Sequence, residues 1–240
     1  MGIDSISLNS GGMNNSLIGR VQVGGHMPSG PVKKSFGEAI PKVLDIHSNP
    51  FLESLFNQLG VLGRLQKKLS ILSRKRGKVV PAKGTIACAL SACEESNFED
   101  LVFVGVDFAT KYHEEEETLA GVLAHEWGHL VSDFDHDMDT DHMTWEEVYA
   151  LRKQEEAEAD AYAGKLLSLM RYSPDGLIRF LSKPGHCKET HKYHSIVTRE
   201  AIIRAAYDHE LKRQRSIQTF QIPTMPSFGR IAGAQLIGIC

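Results

Sequence analysis

Along the chain, stretches with helical apolar spacing alternate with two short runs of β-branched residues. Phe51, Leu52, Leu55, Phe56, Leu59, Leu62, Leu65, Leu69 and Leu72 follow Asn49-Pro50, an N-cap and a first-turn proline, so one helix is predicted from residue 49 onward. Its end falls in Arg74-Lys75-Arg76-Gly77, where cations suit the negative end of the macrodipole and a glycine closes the last turn. Residues 79–90 and 101–109 are short, β-branched and separated by a polar stretch, which predicts two strands; in the second, Val102, Val104, Val106 and Phe108 alternate with Phe103, Gly105 and Asp107. Four carboxylates, Glu114 to Glu117, then open a helix that runs to about Asp133, because unsatisfied N–H groups at a helix start favour negative charge. Thr144 and Glu147 have capping-box spacing at the head of a helix reaching about Met170. Ser173-Pro174 opens a shorter helix, and a last one spans about residues 198–215.

Helices with few strands make an α+β, helix-rich class. Residues 1–35 contain seven Gly, six Ser and three Asn and read as a flexible leader; residues 36–215 read as one domain, and residues 216–240, with prolines, glycines and no clear period, as a tail. No uninterrupted apolar run approaches the roughly 18 residues that a membrane span needs, so no transmembrane segment is expected. Neither a basic lead-in nor an apolar signal core opens the sequence, which makes cytoplasmic residence the default expectation. The leader's composition resembles that of bacterial effectors exported without a cleaved signal. Cys88, Cys93, Cys187 and Cys240 show no Cys-x-x-Cys spacing and read as thiols. The net charge of −3 hides a segregation: residues 94–160 hold 21 of the 30 acidic residues against Lys111, Arg152 and Lys153. An acidic middle and basic flanks can neutralise each other in one body, and no nucleic-acid partner follows from the basic run at 74–76.

Candidate chemistry sits in His125-Glu126-Trp127-Gly128-His129. Histidines four apart on an α-helix lie about 6 Å apart along the axis and roughly 40° around it, so both imidazoles can address one ion. Glu126 lies on the flank of that face, where a carboxylate can act as general base without becoming a ligand. Zinc needs a further ligand, and Glu156 on the next helix is the best candidate, with Asp160 one turn on to hydrogen-bond a ligand histidine and fix its tautomer. Alanines at 157, 159, 161 and 163 let that helix come close, and Gly128 is explained if another backbone packs against it. Two rivals are discounted. Asp135 would need a glycine at 132, where serine stands, and a calcium loop from Asp135 to Glu146 would need a glycine at 140, where threonine stands.

The acidic lead at 114–117, then Leu-Ala-Gly-Val-Leu-Ala-His-Glu-Trp-Gly-His, then Glu-Ala-Glu-Ala-Asp-Ala-Tyr-Ala-Gly at 156–164, resembles the gluzincin metallopeptidases of the HtpX/Ste/BepA type. Tyr172-Ser-Pro174 and His194-Ser-x-x-Thr198-Arg199 extend the likeness, which covers about residues 100–212. Ser195 stands where the family usually has proline, and the spacing to the arginine differs. The resemblance implies a zincin-like fold, a small sheet over an active-site helix, with one catalytic Zn2+ held by His125, His129 and Glu156. It also implies His194 as an oxyanion contact, with His191 its competitor, and a protein or peptide substrate. The expected reaction is peptide-bond hydrolysis by a metal-activated water with Glu126 as base, and residues 101–109 are the candidate edge strand to align the substrate. Two other readings use the same motif. A deformylase-like hydrolase would draw a ligand from a cysteine, but Cys88 and Cys93 lack the Gly-Cys context; a zinc-stabilised interaction module would close the metal's open position.

Overall fold

The computed structural model describes residues 41–85, 87–92, 96–132, 142–184 and 188–220. Residues 1–40 and 221–240, and Asp135, Cys93, Cys187 and Cys240 with them, lie outside the described residues, as does most of the discounted calcium loop. In chain order the described elements are α1 (Pro50–Phe56), α2 (Val61–Ser73), β1 (Lys78–Ala82), β2 (Ala87–Leu90), β3 (Leu101–Gly105), α3 (Val106–Tyr112), α4 (Glu116–Val131), α5 (Trp145–Met170), α6 (Asp175–Leu181) and α7 (Ile196–Phe220). This is a helix-rich α+β architecture with one three-stranded mixed sheet, ordered β1-β3-β2, in which β1 runs parallel and β2 antiparallel to β3.

α4 organises the core. Every residue from Thr118 to Leu130 is buried, which a helix achieves only when it is enclosed on all sides. Leu119, Leu123 and Trp127 join Leu62, Leu65 and Leu69 of α2, Val102 and Val104 of β3, Leu166 and Leu167 of α5 and Leu177 and Leu181 of α6 in one cluster. The opposite sheet face carries a smaller cluster of Val80, Ala82, Cys88, Leu101 and Phe103.

Several helix boundaries agree with local chemistry. Asn49 accepts a hydrogen bond from the Leu52 N–H, and Thr144 and Glu147 form the reciprocal capping box. Ser173 accepts from the Asp175 N–H ahead of α6.

Four sequence expectations are corrected. The single helix from residue 49 is two, because Asn57 Oδ1 accepts from the N–H groups of Leu59 and Gly60 and so captures donors that helix propagation needs; Leu59, in the predicted apolar stripe, is 85% exposed. The second helix ends with Arg74 in the left-handed region, while Gly77 lies against Trp127, where a Cβ would stand 2.6 Å from the indole. Residues 79–90 form two strands around a turn with Gly84 at φ +108°. The run 101–109 is strand only to Gly105: Phe108, Ala109 and Tyr112 have helical spacing, and Phe108 and Tyr112 both meet Phe180 edge-on, so tertiary packing overrides the alternation. β3 is consequently the central strand and β2 the edge strand beside α4.

Candidate metal centre

α4 and α5 build the site. Their close approach depends on Gly128, as the sequence pattern implied: a Cβ there would stand 2.7 Å from Ala159 Cα, so no larger residue fits without parting the helices. This contact brings the face carrying His125 and His129 against the turn carrying Glu155, Glu156 and Asp160.

The two imidazoles direct their Nε2 atoms at each other across 3.2 Å. Two nitrogens bound at about 2.0–2.1 Å to one tetrahedral ion stand roughly 3.3–3.4 Å apart, so this spacing is that of a shared ion. Glu156 Oε2 lies 3.2 Å from His125 Nε2 and 3.9 Å from His129 Nε2. That oxygen is buried and accepts no hydrogen bond from a described residue, a costly arrangement for a carboxylate unless a cation is its partner. His125, His129 and Glu156 could therefore hold a metal ion.

The imidazoles' other nitrogens are occupied. His125 Nδ1 donates to Asp160 Oδ1 at 2.9 Å, and Asp160 is gripped by Arg199 through Nε to Oδ2 at 2.6 Å and a terminal nitrogen to Oδ1 at 2.8 Å. His129 Nδ1 donates to Glu155 Oε1 at 3.2 Å, and Arg152 donates to Glu155 Oε2 at 2.9 Å. A carboxylate has no proton to give, so in both pairs the ring nitrogen is the donor, and in the neutral ring Nε2 keeps the lone pair that a metal would take.

Electrostatics follow from burial and these pairings. Burial disfavours charge on both imidazoles, but the carboxylates outweigh it: Asp160 and Glu156 hold His125 above the usual range, and Glu155, with Glu156 and Glu126, raises His129 to about 9. Glu126 is pushed up, chiefly by burial, against the pull of both imidazoles and the Ala89 backbone N–H. Burial would also raise Glu155 and Asp160, yet His129 and Arg152 hold Glu155 at about 2, and Arg199 and His125 hold Asp160 at about 2. Four carboxylates, Glu126, Glu155, Glu156 and Asp160, face two guanidiniums, Arg152 and Arg199. Among these groups the carboxylates outnumber the guanidiniums by two, an imbalance that one divalent cation would offset.

No protein-family model matches the chain, and no curated protein matches it.

Of the residues singled out in the sequence, the fold brings together His125, Glu126, His129, Glu156 and Asp160. His194 stands in the loop before α7, partly buried, with Glu189 as a charged neighbour; among the described residues no hydrogen bond or ion pair joins it to the three candidate ligands. His191 stacks on Tyr149, ring centroids 4.6 Å apart. Cys88 packs on the sheet face away from α4, with Val80 and Phe103, so it is not part of the centre. Sequence reasoning missed Glu155 and Arg152 and gave Arg199 no partner. The first two were discoverable in principle, since Arg152 and Glu155 are three apart on the helix of Glu156; the Arg199–Asp160 pair spans 39 residues and left no local signal.

Proposed function

We propose that this protein is a zinc-dependent endopeptidase, with a zincin-like arrangement of a small sheet over the helix that carries the site. The observation behind this reading is the pair of facing Nε2 atoms, 3.2 Å apart, beside an unbonded Glu156 oxygen, with the buried carboxylate of Glu126 on the helix of the two histidines. Zinc held by His125, His129 and Glu156 would supply Lewis-acid polarisation of a carbonyl and make water acidic enough to deprotonate near neutral pH.

The chain's own groups do the rest. Glu126, whose pKa is lifted by burial, accepts the proton of the attacking water and returns it to the departing amine; transfer of this kind is worth typically 10²–10⁴ in rate. Asp160 and Arg199 hold His125 in one tautomer and orientation. β2, the edge strand next to α4, offers backbone groups to an extended substrate, in the place first expected of residues 101–109. The side chains of His129 and Glu156, each 8% exposed, mark the side from which a substrate would approach. His194 keeps the oxyanion role given it by resemblance only if the substrate lies between its loop and α4. The family likeness at 114–129 and 156–164 supports the same chemistry. No helix among the described residues is long and apolar enough to cross a membrane.

The test compares wild type with Glu126→Gln on a mixed peptide library, with metal content measured on both. Zinc in both proteins and cleavage by wild type alone is the expected result. Equal cleavage by the two rejects the peptidase reading. Zinc in both with cleavage by neither favours a zinc-stabilised interaction module, although structural zinc sites ordinarily use four protein ligands and the described residues supply three.

A further inference from the structure

We propose that Glu155, braced by Arg152, is the positioning residue of His129, so that each of the two candidate ligand imidazoles has its own carboxylate and its own arginine. The inference rests on the metal-site reading above and extends it to residues that reading does not need.

Glu155 and Glu156 are neighbours on α5, about 100° apart around the helix axis, and both address the same imidazole. Glu155 Oε1 lies 3.2 Å from Nδ1 of His129, and Glu156 Oε2 lies 3.9 Å from its Nε2. The ring is thus bracketed by consecutive carboxylates, one taking its proton and the other facing its lone pair. An Arg152–Glu155 pair at i,i+3 would form equally well in solvent. Turning Glu155 inward instead, to 3% exposure, costs desolvation that a surface pair avoids. What the burial secures is a fixed ring.

The parallel with His125 is close. Asp160 accepts from Nδ1 of His125, and Arg199, itself buried, holds Asp160; Glu155 accepts from Nδ1 of His129, and Arg152 holds Glu155. The supports differ in origin, because Arg199 comes from α7 whereas Arg152 lies one turn before Glu155 on α5 itself. The brace of His125 therefore depends on how α7 docks, whereas both residues of the brace of His129 come from α5.

The test uses the full chain, titrated with zinc against a competing chelator at one fixed pH, and with cobalt for its visible absorption spectrum. Glu155→Ala is expected to lose about 10- to 100-fold in zinc affinity, the usual cost of removing such a support, and to alter the cobalt bands. Glu155→Gln keeps an acceptor for the Nδ1 proton and should lose less, roughly 2- to 10-fold. Arg152→Met should fall between Glu155→Gln and wild type. A folded Glu155→Ala that binds zinc within twofold of wild type, with an unchanged cobalt spectrum, overturns the inference even if its Tm falls. Should that variant not fold, Glu155→Gln decides the matter by the same two readouts, and equality with wild type in both overturns it. A wild-type chain that takes up neither ion overturns the metal-site reading and this inference with it, so the two failures are distinguishable.

Discussion

Replacing Gly128 by alanine places one methyl group at the closest point between the two helices that make the site. The added Cβ would stand 2.7 Å from Ala159 Cα and 3.1 Å from both the Cβ and the carbonyl oxygen of Ala159. Carbon atoms in contact prefer about 3.5–4.0 Å, so α4 and α5 must part by roughly 0.8 Å or more, and backbone cannot rotate away as a side chain would. Overpacking of this kind costs about 1–3 kcal/mol, while alanine in place of glycine inside a helix returns about 1 kcal/mol. The net destabilisation of about 0–2 kcal/mol corresponds to a fall in Tm of at most about 8 °C for a domain of this size. The effect on the metal centre should be larger. Glu156 is three residues before Ala159 on the displaced helix, and an oxygen now 3.2 Å from His125 Nε2 and 3.9 Å from His129 Nε2 would retreat to about 4 Å and about 4.7 Å, the latter beyond the roughly 4.4 Å that two bonds of about 2.2 Å can span. Zinc affinity, measured by chelator competition, should therefore drop at least about tenfold, or about 1.4 kcal/mol. Gly121→Ala is the control: its Cβ would meet Leu177 of α6 at 2.6 Å, so it should destabilise the fold and leave zinc affinity unchanged. A Gly128→Ala protein that melts higher than wild type and binds zinc as tightly would show that the helices are not in contact as described.

Stability should depend on pH in opposite senses at the two ends of the range. His129 is raised from 6.5 to about 9, so in metal-free protein its contribution is complete below about 6.5 and is lost as pH rises through about 9; Glu155 and Asp160, lowered to about 2, contribute above their ordinary range and cease to as pH falls toward 2. Chelated protein should melt highest between about pH 5 and 6.5, and the gain in Tm on adding zinc should grow from about pH 6 to 9, because the ion displaces protons from the imidazoles; a gain that shrinks across that window contradicts the assignment. Arg199→Met leaves Asp160 buried without its guanidinium and should cost about 3–5 kcal/mol in chemical denaturation, with the Asp160→Asn, Arg199→Met double variant recovering part of the loss. A loss below about 1 kcal/mol would mean the pair is solvated rather than buried.

Much of the fold was legible wherever local chemistry and periodicity agreed. The Asn49-Pro50 start, the Thr144–Glu147 box and the Ser173-Pro174 opening each rest on a hydrogen bond or a fixed φ within four residues, and each stands in the structure. Legibility failed where a nearby polar group or a distant partner competed with the pattern. Leu59 kept the apolar spacing, but the Asn57 side chain took the N–H groups that would have continued the helix. Val106 and Phe108 kept the alternation of a strand, but Phe180, 72 residues beyond Phe108, supplies the surface against which Phe108 and Tyr112 pack as a helix.

The candidate ligands were readable because a helix repeats every 3.6 residues, which by itself sets His125 beside His129 and Glu156 beside Asp160. Which pair meets which, and what braces them, had no such local rule. Whether Glu155 faces solvent or His129 depends on the rotation of α5 against α4, which the Gly128–Ala159 contact sets; Arg199 reaches Asp160 only because α7 runs beside α5 with Gly164 against the Ile203 carbonyl. Periodicity belongs to one segment of backbone and survives without the rest of the molecule. The charge balance around the centre belongs to segments far apart in the chain, and only their packing brings those charges within reach of one another.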